Sequence, residues 1–264
     1  MGAADGAGGA AAVRTYWERE DVDFIVSTGG EAGRFWCATT EGMERFLAHI
    51  ASPHLLGVDF DIEGTPDPAD IDSLVRQVAA AAQRHPQLRW SFTLATLAAA
   101  DGSSASINAS GRQVLAAVRA SGLQGALINL MVMDYGPPTA ASCVVSAGVC
   151  DMGRSAQQAV ENLHTRFAVP YAQIEVTPMI GVNDSPGNVF TIGDAEMLGA
   201  FVRTRGLAGL HYWSMDRDSP CSAVAARADC SGLPDVPPGA FGATFLRVLS
   251  GASASGGRTN PSRP

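Results

Sequence analysis

The stretch Leu55–Gly64, LLGVDFDIEG, decides how the whole chain is read. Val58, Phe60 and Ile62 alternate with Asp59, Asp61 and Glu63, which is the two-residue period of an extended strand. Such a strand puts three carboxylates in a row on one face and three apolar side chains on the other. Carboxylates this close repel one another, so at least one keeps its proton to a higher pH than usual. That is what a general acid near neutrality needs. A solvated edge strand and a divalent-cation site are the simpler explanations. The apolar run ahead of the acids is too hydrophobic for an edge, and few further oxygen ligands lie nearby, which disfavours both.

Working outward, VDFIVSTGG (residues 22–30) is a short apolar run closed by two glycines, the pattern of a buried parallel strand entering a loop. Residues 40–50 form the expected helix between it and the acidic strand. Beyond Glu63, expected helices cover residues 71–83, 111–120, 156–167, 193–204 and 239–249. Expected strands cover residues 88–96, 125–136, 172–184 and 207–216. Six strands separated by helices of this length pair in parallel through right-handed crossovers. The expected fold is α/β, a TIM-type (β/α)8 barrel. The 264 residues are just long enough for such a barrel, but it needs eight strands and six are found, so this one is expected to be incomplete, lacking the first two strand–helix units, and poorly active or unstable alone. The expected layout is an Ala/Gly-rich disordered start (1–12), a partial barrel (13–249) and a flexible tail (250–264).

The acidic strand resembles the DGxDxDxE signature of glycoside hydrolase family 18, the chitinase family. Gly57, Asp59, Asp61 and Glu63 match, and Leu56 stands where the first Asp would be. Position 56 is out of phase with the acidic row, so that replacement removes no carboxylate from it. Ser27, Gly29 and Gly30 resemble the family's SxGG motif, one helix ahead of the acids, as in the family, where that strand is usually the third. In LINLMVMDYG, Met131 and Asp134 resemble the MxYD segment, with Met133 in the Tyr position and Tyr135 one residue late. Trp213, in GLHYWSMD, takes the place of the last-strand Trp.

This resemblance implies a site at the carboxyl ends of the strands, with Glu63 as general acid. The substrate's 2-acetamido oxygen then serves as nucleophile, giving retention through an oxazolinium ion. Asp61 would hold the acetamido group, and Asp59 would share a proton with Asp61. Met131, Asp134, Tyr135, Met179, Asn183 and Trp213 are the expected substrate contacts, Trp213 as an aromatic platform under a sugar ring. The implied substrate is chitin or N-acetylglucosamine oligosaccharides. A chitinase-like carbohydrate-binding protein without turnover and an endo-β-N-acetylglucosaminidase are the alternatives. The former class usually lacks the acid that Glu63 supplies here.

A net charge of -8 with no lysine argues against nucleic acid or an anionic membrane as partner. No residues in a metal- or cofactor-binding pattern stand out, so none is expected, and GxSxG is absent, which leaves no nucleophile elbow. Cys143 and Cys150 lie in one expected loop and Cys221 and Cys230 in another, spacing that suits two disulfides and secretion. Cys37 is left over as a buried thiol or the partner of a cysteine elsewhere. The opening residues have neither the basic start nor the apolar core of a signal peptide. A monomer is expected for a full-length form.

Overall fold

The computed structural model describes residue 19 and residues 21–31, 33–103 and 106–251. The expected Ala/Gly start and all of the expected tail except Ser250 and Gly251 lie outside these. The described residues form two compact units. The first runs to Thr96 and includes Ile107–Met131; the second comprises Leu97–Ser106 and the residues from Val132 onward.

The first unit alternates strand and helix: β1 (Phe24–Gly29), α1 (Thr40–Ile50), β2 (Leu55–Ile62), α2 (Pro68–Arg84), β3 (Arg89–Ala95), α3 (Ala109–Ser121) and β4 (Leu127–Met131). All three ladders are parallel and follow chain order, as crossover helices require. Helix starts are marked by side-chain caps: Thr39 accepts from the Gly42 N–H, Asp67 from Ala69 and Asn108 from Gly111. Pro68 at the first position of α2 loses nothing, because that N–H would be unpaired in any case.

The register decides which side chains meet. Asp59 lies opposite Ser27 of β1 and Ser91 of β3, while Asp61 lies opposite Gly29 and Thr93, and Thr93 in turn opposite Asn129. Polar residues therefore share one face. On the other, Val58, Phe60 and Ile62 are buried, and the Phe60 ring sits 5.6 Å from Phe92 and 5.8 Å from Phe35. That apolar side is closed by Ile71, Leu74, Val75 and Val78 of α2 and Val114 and Leu115 of α3, all buried.

The second unit contains a small hairpin β5–β6 (Val145–Ser146, Val149–Cys150), α4 (Met152–Phe167), β7 (Ile174–Thr177), a second hairpin β8–β9 (Gly181–Val182, Val189–Phe190), α5 (Ile192–Arg205), β10 (Gly209–Leu210) and α6 (Ala240–Leu249). β7 and β10 pair in parallel. The expected ten-residue strand at 207–216 is only two residues long. Beyond it the His211 and Trp213 N–H groups still donate to Val176 and Pro178, and Ile180 donates to Trp213, but Pro178 has no N–H to continue the ladder. Cys143–Cys150 and Cys221–Cys230 are bonded as expected, and Cys37 is a buried thiol that donates to the Thr39 carbonyl.

Gly57 of the signature has a packing reason. A Cβ there would lie 2.4 Å from the Arg89 carbonyl oxygen and 2.1 Å from its Cγ, because β3 passes directly against it. Gly57→Ala should therefore destabilise the protein by about 1–3 kcal/mol, the usual cost of overpacking. The urea midpoint should fall with an unchanged slope; an unchanged midpoint would show that the strands can part at no cost.

Candidate active site

In the first unit, Asp59 is the most constrained of the three acids. It is 8% exposed and receives hydroxyl hydrogen bonds from both neighbouring strands: Ser27 at 2.8 Å, Ser91 at 2.7 Å and Thr93 at 2.9 Å to each oxygen. Asn129 of β4 donates in turn to the Thr93 hydroxyl at 2.9 Å. These oxygens accept from hydroxyl donors, which occupies the lone pairs a cation would need.

Asp61 is treated differently. Its Oδ1 is out of contact with solvent and has no hydrogen-bond partner among the described residues. Burial first, then the Glu63 and Asp59 charges, push its carboxyl up to about 7. Glu63 lies just past the end of β2 and is also raised, by burial and then by the Glu31 carboxylate, against a lowering contribution from a hydrogen bond with the Glu31 backbone. The two glycines of the preceding loop make room for this pair. A Cβ on Gly29 would lie 2.1 Å from the Asp61 carbonyl oxygen, while one on Gly30 would sit 3.6 Å from Asp61 Oδ2 and 3.9 Å from Glu63 Oε1. Both carboxyl groups thus border one gap that a side chain would fill. A recess lined by Arg34, Phe35, Trp36, Phe60, Asp61 and Glu63 adjoins them. Met131 ends β4, partly exposed. A firmly held carboxylate, a neighbour that is half-protonated near neutrality and a terminal acid at a strand's carboxyl end can together hold and deliver one proton.

In the second unit, Asp134 has a left-handed backbone (φ 50) and is partly buried, with Oδ1 accepting from the Ser185 N–H at 2.8 Å. Burial raises its pKa, the Ser185 hydrogen bond works against the rise, and the Asp184 and Arg217 charges add smaller opposing effects. Three of the expected substrate contacts are buried. Tyr135 is 1% exposed and Met179 2%, both packed in the core. Asn183, 2% exposed, uses its amide on the backbone: it donates to the Met179 and Gly181 carbonyls and accepts from the Asp134 N–H. Through these bonds it shapes the loop that faces Asp134. Trp213, 42% exposed, does present an open aromatic face.

No protein-family model matches the chain. A probable bifunctional chitinase/lysozyme of Escherichia coli (strain K12) is 30% identical over 220 residues, and Endochitinase 11 of Metarhizium anisopliae is 27% identical over 227. These alignments take in 75% and 78% of this chain but 23% and 42% of the relatives, so the chain spans less than half of either. Among solved structures, the catalytic domain of a hyperthermophilic chitinase from Pyrococcus furiosus has a TM-score of 0.68 at 24% identity, covering 86% of this chain and 72% of that one. A family GH18 chitinase catalytic domain from the fern Peteris ryukyuensis has a TM-score of 0.52 at 16% identity, covering 93% and 80%. At these identities the structures speak to the fold.

The chain is similar to the chitinases of glycoside hydrolase family 18. Its fold is that of an incomplete TIM-type (β/α) barrel, with β1, β2, β3, β4, β7 and β10 as the barrel strands among the described residues.

Several residues that shape this chitinase-like site carry no signal in the sequence. Ser91, Thr93 and Asn129 look like ordinary strand residues until the register sets them against Asp59. Ser27 was legible only as part of SxGG. Asn188, whose side chain accepts from the Tyr135 N–H and donates to the Gly136 carbonyl, and the buried Arg217 were equally hidden.

The state of Asp61 has a thermodynamic consequence. Its folded pKa of about 7 lies above its ordinary 3.8, so its favourable contribution is complete below pH 4 and is lost as the pH rises through 7. Asp61→Asn removes that ionisation. At pH 8 the variant should be more stable than the parent by about 2 kcal/mol, roughly half the unscreened linkage value because water still reaches the group. The difference should vanish near pH 4. Urea unfolding at the two pH values tests this, and a gap independent of pH would contradict the assignment.

Proposed function

We propose that this chain carries the acid–base centre of a glycosidase that hydrolyses β-1,4-linked N-acetylglucosamine polymers, with Glu63 as the general acid. The observation that supports this most directly is the graded set on β2: Asp59 held by three hydroxyls, Asp61 pushed up to about 7, and Glu63 raised beside the gap that Gly30 leaves open. The relatives, a probable chitinase/lysozyme and an endochitinase, support this substrate class.

In this reading Glu63 protonates the glycosidic oxygen as the bond to the leaving sugar breaks. The substrate's acetamido oxygen attacks the anomeric carbon from the opposite face, and Asp61, oriented toward the acetamido N–H, offsets the developing positive charge. Water then opens the oxazolinium ion, with Glu63 accepting its proton, and the product keeps the starting configuration. Asp59 shares the proton of Asp61 and takes it up as Asp61 becomes the anion that offsets this charge. Trp213 offers an aromatic face to a sugar ring, and Met131 and Asp134 complete the proposed contacts. We place the protein outside the cell, where its two disulfides persist; among the described residues no helix is long and apolar enough to cross a membrane.

Glu63→Gln keeps the shape of the side chain and removes its proton. Hydrolysis of chito-oligosaccharides should drop by about a thousandfold or more, while their dissociation constant changes by no more than a few-fold. Near-parental turnover would remove Glu63 from the acid role. In the parent, kcat should fall on the alkaline side as Glu63 gives up the proton it delivers, a limb that burial and the Glu31 charge move upward. Early product anomers read by NMR should show retention, and substrates lacking the N-acetyl group should not react; an inverted product would refute the acetamido mechanism.

A further inference from the structure

We infer that Arg217 is a positioning residue for Trp213, holding the indole from its protein side so that the opposite face stays open to stack on an N-acetylglucosamine ring. This rests on the proposed function for the identity of the ligand. The geometry lies entirely within the second unit. Arg217 is fully buried, while Trp213, four residues earlier, is 42% exposed. The guanidinium carbon stands 5.0 Å from the centroid of the Trp213 ring, within the range of a cation–π contact.

The guanidinium is fixed from several directions. Nη2 donates to the Ile180 carbonyl at 2.8 Å and to the Val182 carbonyl at 2.6 Å, and Nη1 donates to the Arg227 carbonyl. Arg227 lies inside the loop closed by Cys221–Cys230. The next residue, Asp218, is bound through both carboxylate oxygens to the Phe241 and Gly242 N–H groups at the start of α6. Ring and cation also share a frame, because the Ile180 N–H donates to the Trp213 carbonyl while the Ile180 carbonyl accepts from Arg217.

All three acceptors of the guanidinium are neutral carbonyls, so the desolvation cost of burying this charge is offset by the Asp184 and Asp134 charges and not through these bonds. What the arrangement does supply is a planar cation under an exposed ring. An exposed Trp without such support turns about two side-chain bonds, and a sugar that stacks on it must first order it. With the guanidinium beneath, the ring is ordered before the sugar arrives. Lysine cannot replace it, since a point charge on a flexible stem has no plane to lay against an indole and no fork for three carbonyls.

The test is a double-mutant cycle on chitotetraose binding, measured by titration calorimetry in the Glu63→Gln background so that nothing is turned over. Arg217→Lys should weaken binding about tenfold when Trp213 is present and less than about twofold when Trp213→Ala is also present, because the arginine acts through the ring. An equal loss in both backgrounds, or no loss in either, would overturn the inference. If Arg217→Lys cannot be obtained folded, the Cys221→Ser/Cys230→Ser pair, which frees the Arg227 carbonyl, goes through the same cycle with the same criteria. Failure of the Glu63→Gln parent to bind chitotetraose overturns the proposed function and this inference together, whereas binding that ignores Arg217 overturns this inference alone.

Discussion

A single buried carboxylate ties the first unit to its chemistry. Asp59 sits on β2 between β1 and β3 and accepts hydroxyl hydrogen bonds from both, and through Thr93 it reaches Asn129 on β4. A charge this well enclosed is tolerable only while its donors stay in register, since removing one leaves a buried oxygen unpaired. A slip of one residue between these strands would set an apolar side chain against each oxygen and turn the acidic row toward the helices. The same bond network therefore specifies strand pairing and prepares the electrostatic environment of Asp61.

Once Asp59 is held, its neighbours are driven apart in proton affinity. Asp61 has an oxygen without a partner and two negative neighbours, so its proton is retained to about pH 7. Glu63, at the strand end, meets Glu31 of the preceding loop instead. Three acids of similar intrinsic strength thus become three different groups through burial, donors and neighbouring charges. The glycines of that loop belong to the same design, because a side chain at Gly29 would collide with the β2 backbone and one at Gly30 would occupy the gap between the carboxyls.

The second unit uses backbone carbonyls where the first uses hydroxyls. Asn183, Asn188 and Arg217 each spend their polar atoms on main chain, shaping the segments that carry Asp134 and Trp213. Tyr135, expected as a ligand contact because it follows Asp134 at a strand end, is folded inward with its hydroxyl lacking a partner among the described residues.

Local pattern by itself determined the α/β class, the alternation of strand and helix, the parallel pairing, both disulfides and the acidic row, because periodicity, caps and loop-confined cysteines are carried by neighbouring residues. Thr39, Asp67, Asn108 and Asp151 cap the observed helices, and the last three place the starts at Pro68, Ala109 and Met152, ahead of the expected 71, 111 and 156. Only the tertiary structure decided which polar residues face Asp59, how far Asp61 is shifted, which expected contacts turn inward and what lies beneath Trp213. Those depend on register and on the close approach of segments tens of residues apart, Asp59 with Ser91 across 32 residues and Arg217 with Val182 across 35, and no local period encodes such meetings.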